Sequence, residues 1–360
     1  MALAVVRNLG SPRHLRSALE VEDYEQELVD QYALSMAAAG LTDGHITASR
    51  SAVFELARFV ARPLWTVSAA DADRHLVDLR RRGLSKGTIY TKAGLLARFF
   101  EFLVARHQGD IHKLTGYLVE QPIDEYNRPA SPAYGDARVP PSDDDVEKLF
   151  TQWGHTLVHS RKYLPAARDY FAASLWRRLG LRINESVMLD LRDWRPDLGD
   201  HGKLHVRHGK GSGGRGPKSR VIPAINSADA LITWWLTDVR HQFGPDWSDP
   251  DAPMLPSERR DGDTGRCIRV GDDALRKGLV TAVARWLPAW NRRVTPHVLR
   301  HYCASSLYGS GVDLKAVQEL LGHEWLSTTT RYIHVRSDHI DQAWKQANQR
   351  TEARFAGAGR

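Results

Sequence analysis

Three groups of residues in the second half of the chain have types and spacings that could carry chemistry. The first is Gly180-Leu181-Arg182-Ile183-Asn184-Glu185, an arginine followed three positions later by a glutamate. That is ion-pair spacing on a helix. The second is His208-Gly209-Lys210-Gly211-Ser212-Gly213-Gly214-Arg215-Gly216-Pro217-Lys218-Ser219-Arg220, a basic stretch with a glycine tip. It resembles a phosphate-binding P-loop, yet Pro217 separates the last glycine from Lys218-Ser219 and the following Val221-Ile222-Pro223 is strand-like. A P-loop places phosphate at a helix N-terminus directly after the loop, so nucleotide hydrolysis is rejected. From Lys203 to Arg220 there are six lysines or arginines and no acid, which suits a hairpin reaching toward a phosphate backbone. His201, His205 and His208 have no cysteine or carboxylate among them, and read as polar strand residues rather than zinc ligands. The third group begins at Pro296-His297-Val298-Leu299-Arg300-His301, with His297 and Arg300 on one helical face. Leu320-Leu321-Gly322-His323 follows, and Tyr332 lies nine residues after His323.

Taken singly, each group has a plain structural reading: an ion pair, a solvated loop, a satisfied histidine, a packing tyrosine. Tyr302 and Tyr308, which follow His297 closely, read as packing residues. What resists the plain reading is the order as a whole.

The elements that must position these residues belong to a chain of 360 residues with 50 Lys and Arg against 43 Asp and Glu, a formal charge of +7. That length suits about two domains, and 42% hydrophobic residues suit a globular core. No apolar run approaches the roughly 20 residues of a membrane span, so no membrane partner is expected. The first residues lack a signal-peptide stretch, and Cys267 and Cys303 cannot supply a disulfide framework or a four-cysteine zinc site. The expectation is a basic, two-domain, cytoplasmic protein whose charge favours nucleic acid.

From about Val21 to His107 the periodicity is helical. Val53, Leu56, Ala57 and Val60 form one stripe; Ser68 is placed to cap Ala69–Arg80 with Asp71 three residues on. Ser85 opens a longer helix with Ile89, Ala93, Leu96, Phe100 and Leu103 on one face and Lys86, Lys92 and Arg98 off it. Residues 20–115 are therefore expected to form a small all-helical domain. Residues 116–141, punctuated by proline and glycine, read as an extended linker. Asp143, Asp144 and Asp145 after Ser142 could be a metal cluster, but a capped helix start with acids in its first turn is preferred. The second domain, 142–335, is read as mixed: helices at Asp169–Arg178, Val187–Leu191, Leu279–Trp286, Pro296–Ser306 and Leu314–Leu321, and strands at Lys203–Arg207 and Ser219–Pro223. A terminal helix is expected over Asp338–Gln349, within a tail of 336–360.

In this order of motifs the sequence resembles the tyrosine recombinases, the lambda-integrase-like family, over nearly its whole length. The resemblance implies a mainly α fold with a small β-sheet: a helical, SAM-like core-binding domain and a mixed α+β catalytic domain. Matched position by position, it implies Arg182, Lys210, His297, Arg300, His323 and the nucleophile Tyr332 as catalytic residues, with Glu185 and Asp193 in support. Ser186 replaces the leucine usual after the glutamate, and the hairpin is longer than usual, which leaves Lys210 and Lys218 both open as the acid. DNA contacts are expected from Lys86, Lys92, Arg98, Arg215, Lys218 and Arg220.

The chemistry of these residue types agrees. A tyrosine hydroxyl can hold DNA through a covalent phosphodiester while conserving the bond energy. Two guanidinium forks can grip non-bridging oxygens, His297 can take the tyrosine proton, and Lys210 can protonate the departing 5′ oxygen. His323 can hydrogen-bond a phosphate oxygen. The arginines and lysine supply charge stabilisation elsewhere given by a divalent ion, so no metal and no cofactor are implied. The expectation is a site-specific recombinase acting on double-stranded DNA sites through a 3′-phosphotyrosyl intermediate, assembled as a tetramer on paired sites, nucleoid-associated, with room for an accessory directionality factor. The alternatives are a type IB topoisomerase and a DNA-binding protein without catalysis.

Overall fold

The computed structural model describes residues 15, 17–131, 140–209, 216 and 218–322. The chain divides near residue 135 into two compact units.

The first unit is helical: α1 (Ala18–Ala38), α2 (Asp43–Val60), α3 (Ala69–Arg81), α4 (Lys86–Phe102) and α5 (Gln108–Thr115). Short polar caps fix where these helices begin. Ser68 and Asp71 form a reciprocal capping box at α3, and Ser85 Oγ accepts from Thr88 N at 3.1 Å at α4. The expected stripe on α4 is the one that is buried, Ile89, Ala93, Leu96 and Phe100 all lying inside. The basic residues of α4 are six apart, and six residues advance a helix by about 240°, so they point in three directions. Lys86 and Arg98 are exposed, whereas Lys92 is half-buried and paired with Glu55 of α2. Past Gly116 the backbone is irregular but packed. Val119 and Ile123 are buried in this core, and Gln121 Nε2 donates to Ala97 O at 2.9 Å.

The second unit contains α6 (Asp143–Thr156), α7 (Tyr163–Leu179), α8 (Ile183–Val187), β1 (Trp194–Arg195), β2 (Lys203–Gly209) and β3 (Lys218–Pro223). It continues with α9 (Ala228–Trp234), β4 (Pro256–Arg260), β5 (Cys267–Arg269), α10 (Asp272–Trp286), α11 (Pro296–Gly309) and α12 (Leu314–Leu321). Strands β1, β2 and β3 form an antiparallel sheet in that order, and β4 pairs with β5 as a separate hairpin. Helix α7 is the centre of the core. Ala167, Phe171, Ala172, Ala173, Leu175 and Trp176 are all fully buried, and Phe171 stacks on Trp235 at 4.7 Å between ring centroids. A helix apolar on nearly every side must be surrounded, here by α6, α9, α10 and α11.

Ser142 caps α6, its hydroxyl accepting from Asp145 N at 3.2 Å, and Asp145 itself accepts from the Trp290 indole at 3.2 Å. No metal-holding group occurs among the described residues. The helix expected over Val187–Leu191 is not there. Helix α8 ends at Val187, Asp190 bridges to Pro253, and Leu191–Asp193 is a single 3-10 turn. The backbone of this run is held by the β4–β5 hairpin instead: Arg269 Nη1 donates to the carbonyls of Val187 and Leu189 at 2.7 and 2.9 Å, and of its apolar side chains only Leu189 is fully buried while Met188 is exposed. The β4–β5 hairpin itself carries no alternation of apolar and polar residues to announce it.

Candidate active site

The site is built where four chain segments end on one another. Helix α7 stops at Gly180, which adopts the left-handed conformation with φ +63°, and the chain turns into Arg182 at the start of α8. Glu185 in that helix reaches back to accept from the Arg182 backbone N at 2.9 Å and from Arg182 Nη1 at 2.6 Å. The sequence places them at ion-pair spacing, and they form one. The same carboxylate takes both terminal nitrogens of Arg220 from β3, at 2.9 and 2.8 Å. Arg300 Nη1 of α11 lies 3.8 Å from it. One buried glutamate, 1% exposed, thus holds three guanidinium groups together.

The charge balance sets the carboxylate's state. Burial pushes the Glu185 value upward, but the hydrogen bonds and charge of Arg220, with the charges of Arg182 and Arg300, pull it down to about 2. Glu185 is therefore ionised throughout the neutral range.

The three arginines share a second task. Helix α12 ends at Gly322, in the left-handed region at φ +66°, and its last carbonyls have no partners within the helix. Arg220 Nε donates to Leu320 O at 2.9 Å, Arg300 Nη2 to Leu321 O at 2.6 Å, and Arg182 Nη2 to Gly322 O at 3.3 Å. Three consecutive carbonyls at the negative end of the helix are each met by a different cation. Arg300 also donates to the carbonyl of Gly180, joining the ends of α7 and α12.

Arg182 keeps 24% of its side chain exposed, whereas Arg300 is 1% exposed. His297, one turn before Arg300 on α11, is exposed, and its ring meets that of His301 edge-on at 4.8 Å. Lys218 is exposed and paired in register with Gly209, the residue before Lys210. Lys210, Arg215, His323 and Tyr332 lie outside the described residues, as does the terminal helix expected over Asp338–Gln349.

Two expected positions fall elsewhere. Asp193 is buried away from this cluster, accepting from Arg207 Nε at 2.6 Å and from Asp190 N at 2.9 Å, where it fastens β2 to the turn after α8. Arg220, expected to face DNA, is turned inward with only 12% of its side chain exposed. Side chains two apart share a face of a strand, and Arg220 is two residues before the buried Ile222, so both face the interior. The Ser186 departure also finds a cause. Its buried hydroxyl accepts from the Trp176 indole at 2.9 Å, giving a fully buried tryptophan the partner that leucine could not.

Comparison with known proteins bears on the family and the fold. A model of the phage integrase family matches residues 152–339. Tyrosine recombinase XerC of Vibrio vulnificus (strain YJ016) is 29% identical over 274 residues, covering 75% of this chain and 73% of the relative. XerC of Escherichia coli O127:H6 is 29% identical over 275 residues, covering 76% and 78%. Among solved structures, the XerH recombinase bound to a palindromic difH substrate aligns with TM-score 0.62 at 18% identity, over 91% of this chain and 84% of that one. The Tn1549 transposon integrase in complex with transposon right-end DNA aligns with TM-score 0.59 at 19% identity, over 89% and 98%. These likenesses bear out the mainly helical fold with a small sheet. With a family match over more than half its length, on the segment that carries Arg182, Glu185 and Arg300, the chain belongs to the phage integrase family, the tyrosine recombinases.

Proposed function

We propose that this protein cleaves and rejoins double-stranded DNA at specific sites, with Tyr332 attacking the scissile phosphorus to form a 3′-phosphotyrosyl link and release a 5′-hydroxyl. The observation that carries the reading is the guanidinium cluster organised by Glu185 at the end of α12, directly before His323. A phosphodiester needs its growing negative charge met by preorganised donors, and Arg182 has both the charge and the exposure for that role. Arg300 is covered, so its contact with phosphate calls for a displacement of the groups around it when DNA binds. His297, exposed at the start of α11, is assigned as acceptor of the tyrosine proton. Lys210, or Lys218 across the hairpin, is assigned as donor to the 5′ oxygen, and His323 as a phosphate ligand.

In this proposal the first unit grips the duplex through Lys86 and Arg98, and four protomers join two DNA sites. The segment after Val335 docks on a neighbouring protomer through Ile340 and Trp344, in a cyclic head-to-tail contact. Trp344→Ala should then bind a single site normally and fail in two-site recombination. Full recombination by a chain ending at Val335 would remove that contact. The central test is a nicked suicide substrate, on which the wild type should become covalently joined to DNA and Tyr332→Phe should bind without forming the adduct. An adduct in Tyr332→Phe would dismiss the assigned nucleophile.

A further inference from the structure

Arg220 has no part in the reaction steps assigned above, yet its side chain bonds two separate segments of the site. Both its terminal nitrogens bond the Glu185 carboxylate, at 2.9 and 2.8 Å, and its Nε bonds the Leu320 carbonyl at 2.9 Å. Its guanidinium also lies close under Gly322. A Cβ added there would stand 3.0 Å from Arg220 Cδ and Nη1, so a side chain at this left-handed position would press on the arginine. Arg220 thus ties three parts of the site at one point. These are the β2–β3 hairpin that carries Lys210 and Lys218, the glutamate that holds Arg182, and the last turn of α12.

We propose that Arg220 is a positioning residue for strand cleavage: it fixes the end of α12, and hence the entry of the chain into His323, against Glu185 and the hairpin. Only a guanidinium can do this. Its planar fork bonds both carboxylate oxygens while the third nitrogen is aimed about sideways at a carbonyl, a geometry that an ammonium on a flexible stem cannot reproduce. A lysine would keep the charge beside Glu185 and lose the simultaneous hold on Leu320. The proposal rests on the recombinase reading, because the step it serves is that reaction.

The test is single-turnover cleavage of the nicked substrate by the full chain, with DNA affinity and thermal midpoint measured alongside. Arg220→Lys should stay folded and bind DNA within about twofold, and cleave roughly 10- to 100-fold more slowly, the loss expected when reacting groups are misplaced by about 1 Å. Arg220→Ala should be slower still. Added guanidinium at millimolar concentration should restore part of its rate, while methylammonium at the same ionic strength should not. Wild-type cleavage by Arg220→Lys would overturn the proposal and leave the recombinase reading standing. So would a loss of folding in both variants, which would make Arg220 a fold residue. A wild type that forms no adduct would sink the recombinase reading and this proposal with it.

Discussion

The guanidinium of Arg182 donates to the carbonyl of Gly322 at 3.3 Å, across 140 positions of sequence. The first arginine motif therefore meets the Leu-Gly-His motif directly, through the backbone of the residue before His323. Arg182 and the α12 terminus are parts of one constellation, and a change at either should be felt in the rate of chemistry before it is felt in DNA affinity.

Arg182→Lys is the most direct probe of that arrangement. It preserves the positive charge but not the fork that bonds Glu185 and Gly322 together. Loss of a preorganised donor to developing charge costs roughly 100- to 1000-fold in rate. Single-turnover cleavage should fall by that factor while the dissociation constant for the site changes little. A lysine variant cleaving at nearly the wild-type rate would contradict the assignment.

The buried carboxylate predicts a pH dependence of stability. Glu185 has a folded value of about 2, below its ordinary 4.5, so its ionised form favours the folded state. That contribution is complete above about pH 4.5 and is lost as the pH falls toward 2. Glu185→Gln removes the counter-charge from three packed guanidinium groups and should destabilise the protein by about 3–5 kcal/mol at neutral pH. In denaturant unfolding, the gap between wild type and variant should narrow as the pH is lowered through this window. A gap that stays constant from neutral pH to acid would show that Glu185 acts through shape rather than charge.

How much of this was legible in the sequence depended on how local the cause was. Ser68, Ser85 and Ser142 were readable as caps because a cap is decided within four residues. The α4 stripe was readable because it repeats at helical spacing. Arg182 and Glu185 were readable at i and i+3. Arg220 was not, because its partners lie 35 positions before it and 100 after it, and in the sequence it was one of six like charges in a basic stretch. The run at Val187–Leu191 misled for a similar reason: short apolar runs do not declare their period, and here a distant arginine, Arg269, took the carbonyls that a helix would have used.

Tyrosine identity can be separated by substitution. The Tyr302 hydroxyl is pushed up to about 12, first by burial and then by the neighbouring Asp143 carboxylate, which makes its phenolate hard to form. Tyr302→Phe should therefore still give the covalent adduct, at a rate set only by how well the α6–α11 contact survives. Tyr308→Phe should give it too. Peptide mapping of the trapped DNA should find the link at Tyr332. A link at Tyr302 would reverse this ordering.

The two units allow a last prediction about DNA affinity. Each has its own buried core, so a chain beginning at Ser142 should retain the fold of the second unit. If the first unit grips the duplex, that shortened chain should lose at least about tenfold in site affinity and show a shallower dependence on salt, because fewer counterions are released. Within the full chain, the three basic residues of α4 should behave differently. Lys86→Ala and Arg98→Ala remove exposed charges and should each reduce the salt slope by about one if they touch phosphate. Lys92 is instead held by Glu55, which also binds Arg82 at 2.8 Å, so Lys92→Ala should lower the melting temperature with little change in salt slope. Equal affinity and slope in the shortened and full chains would place all the DNA contacts in the second unit and refute the two-unit grip.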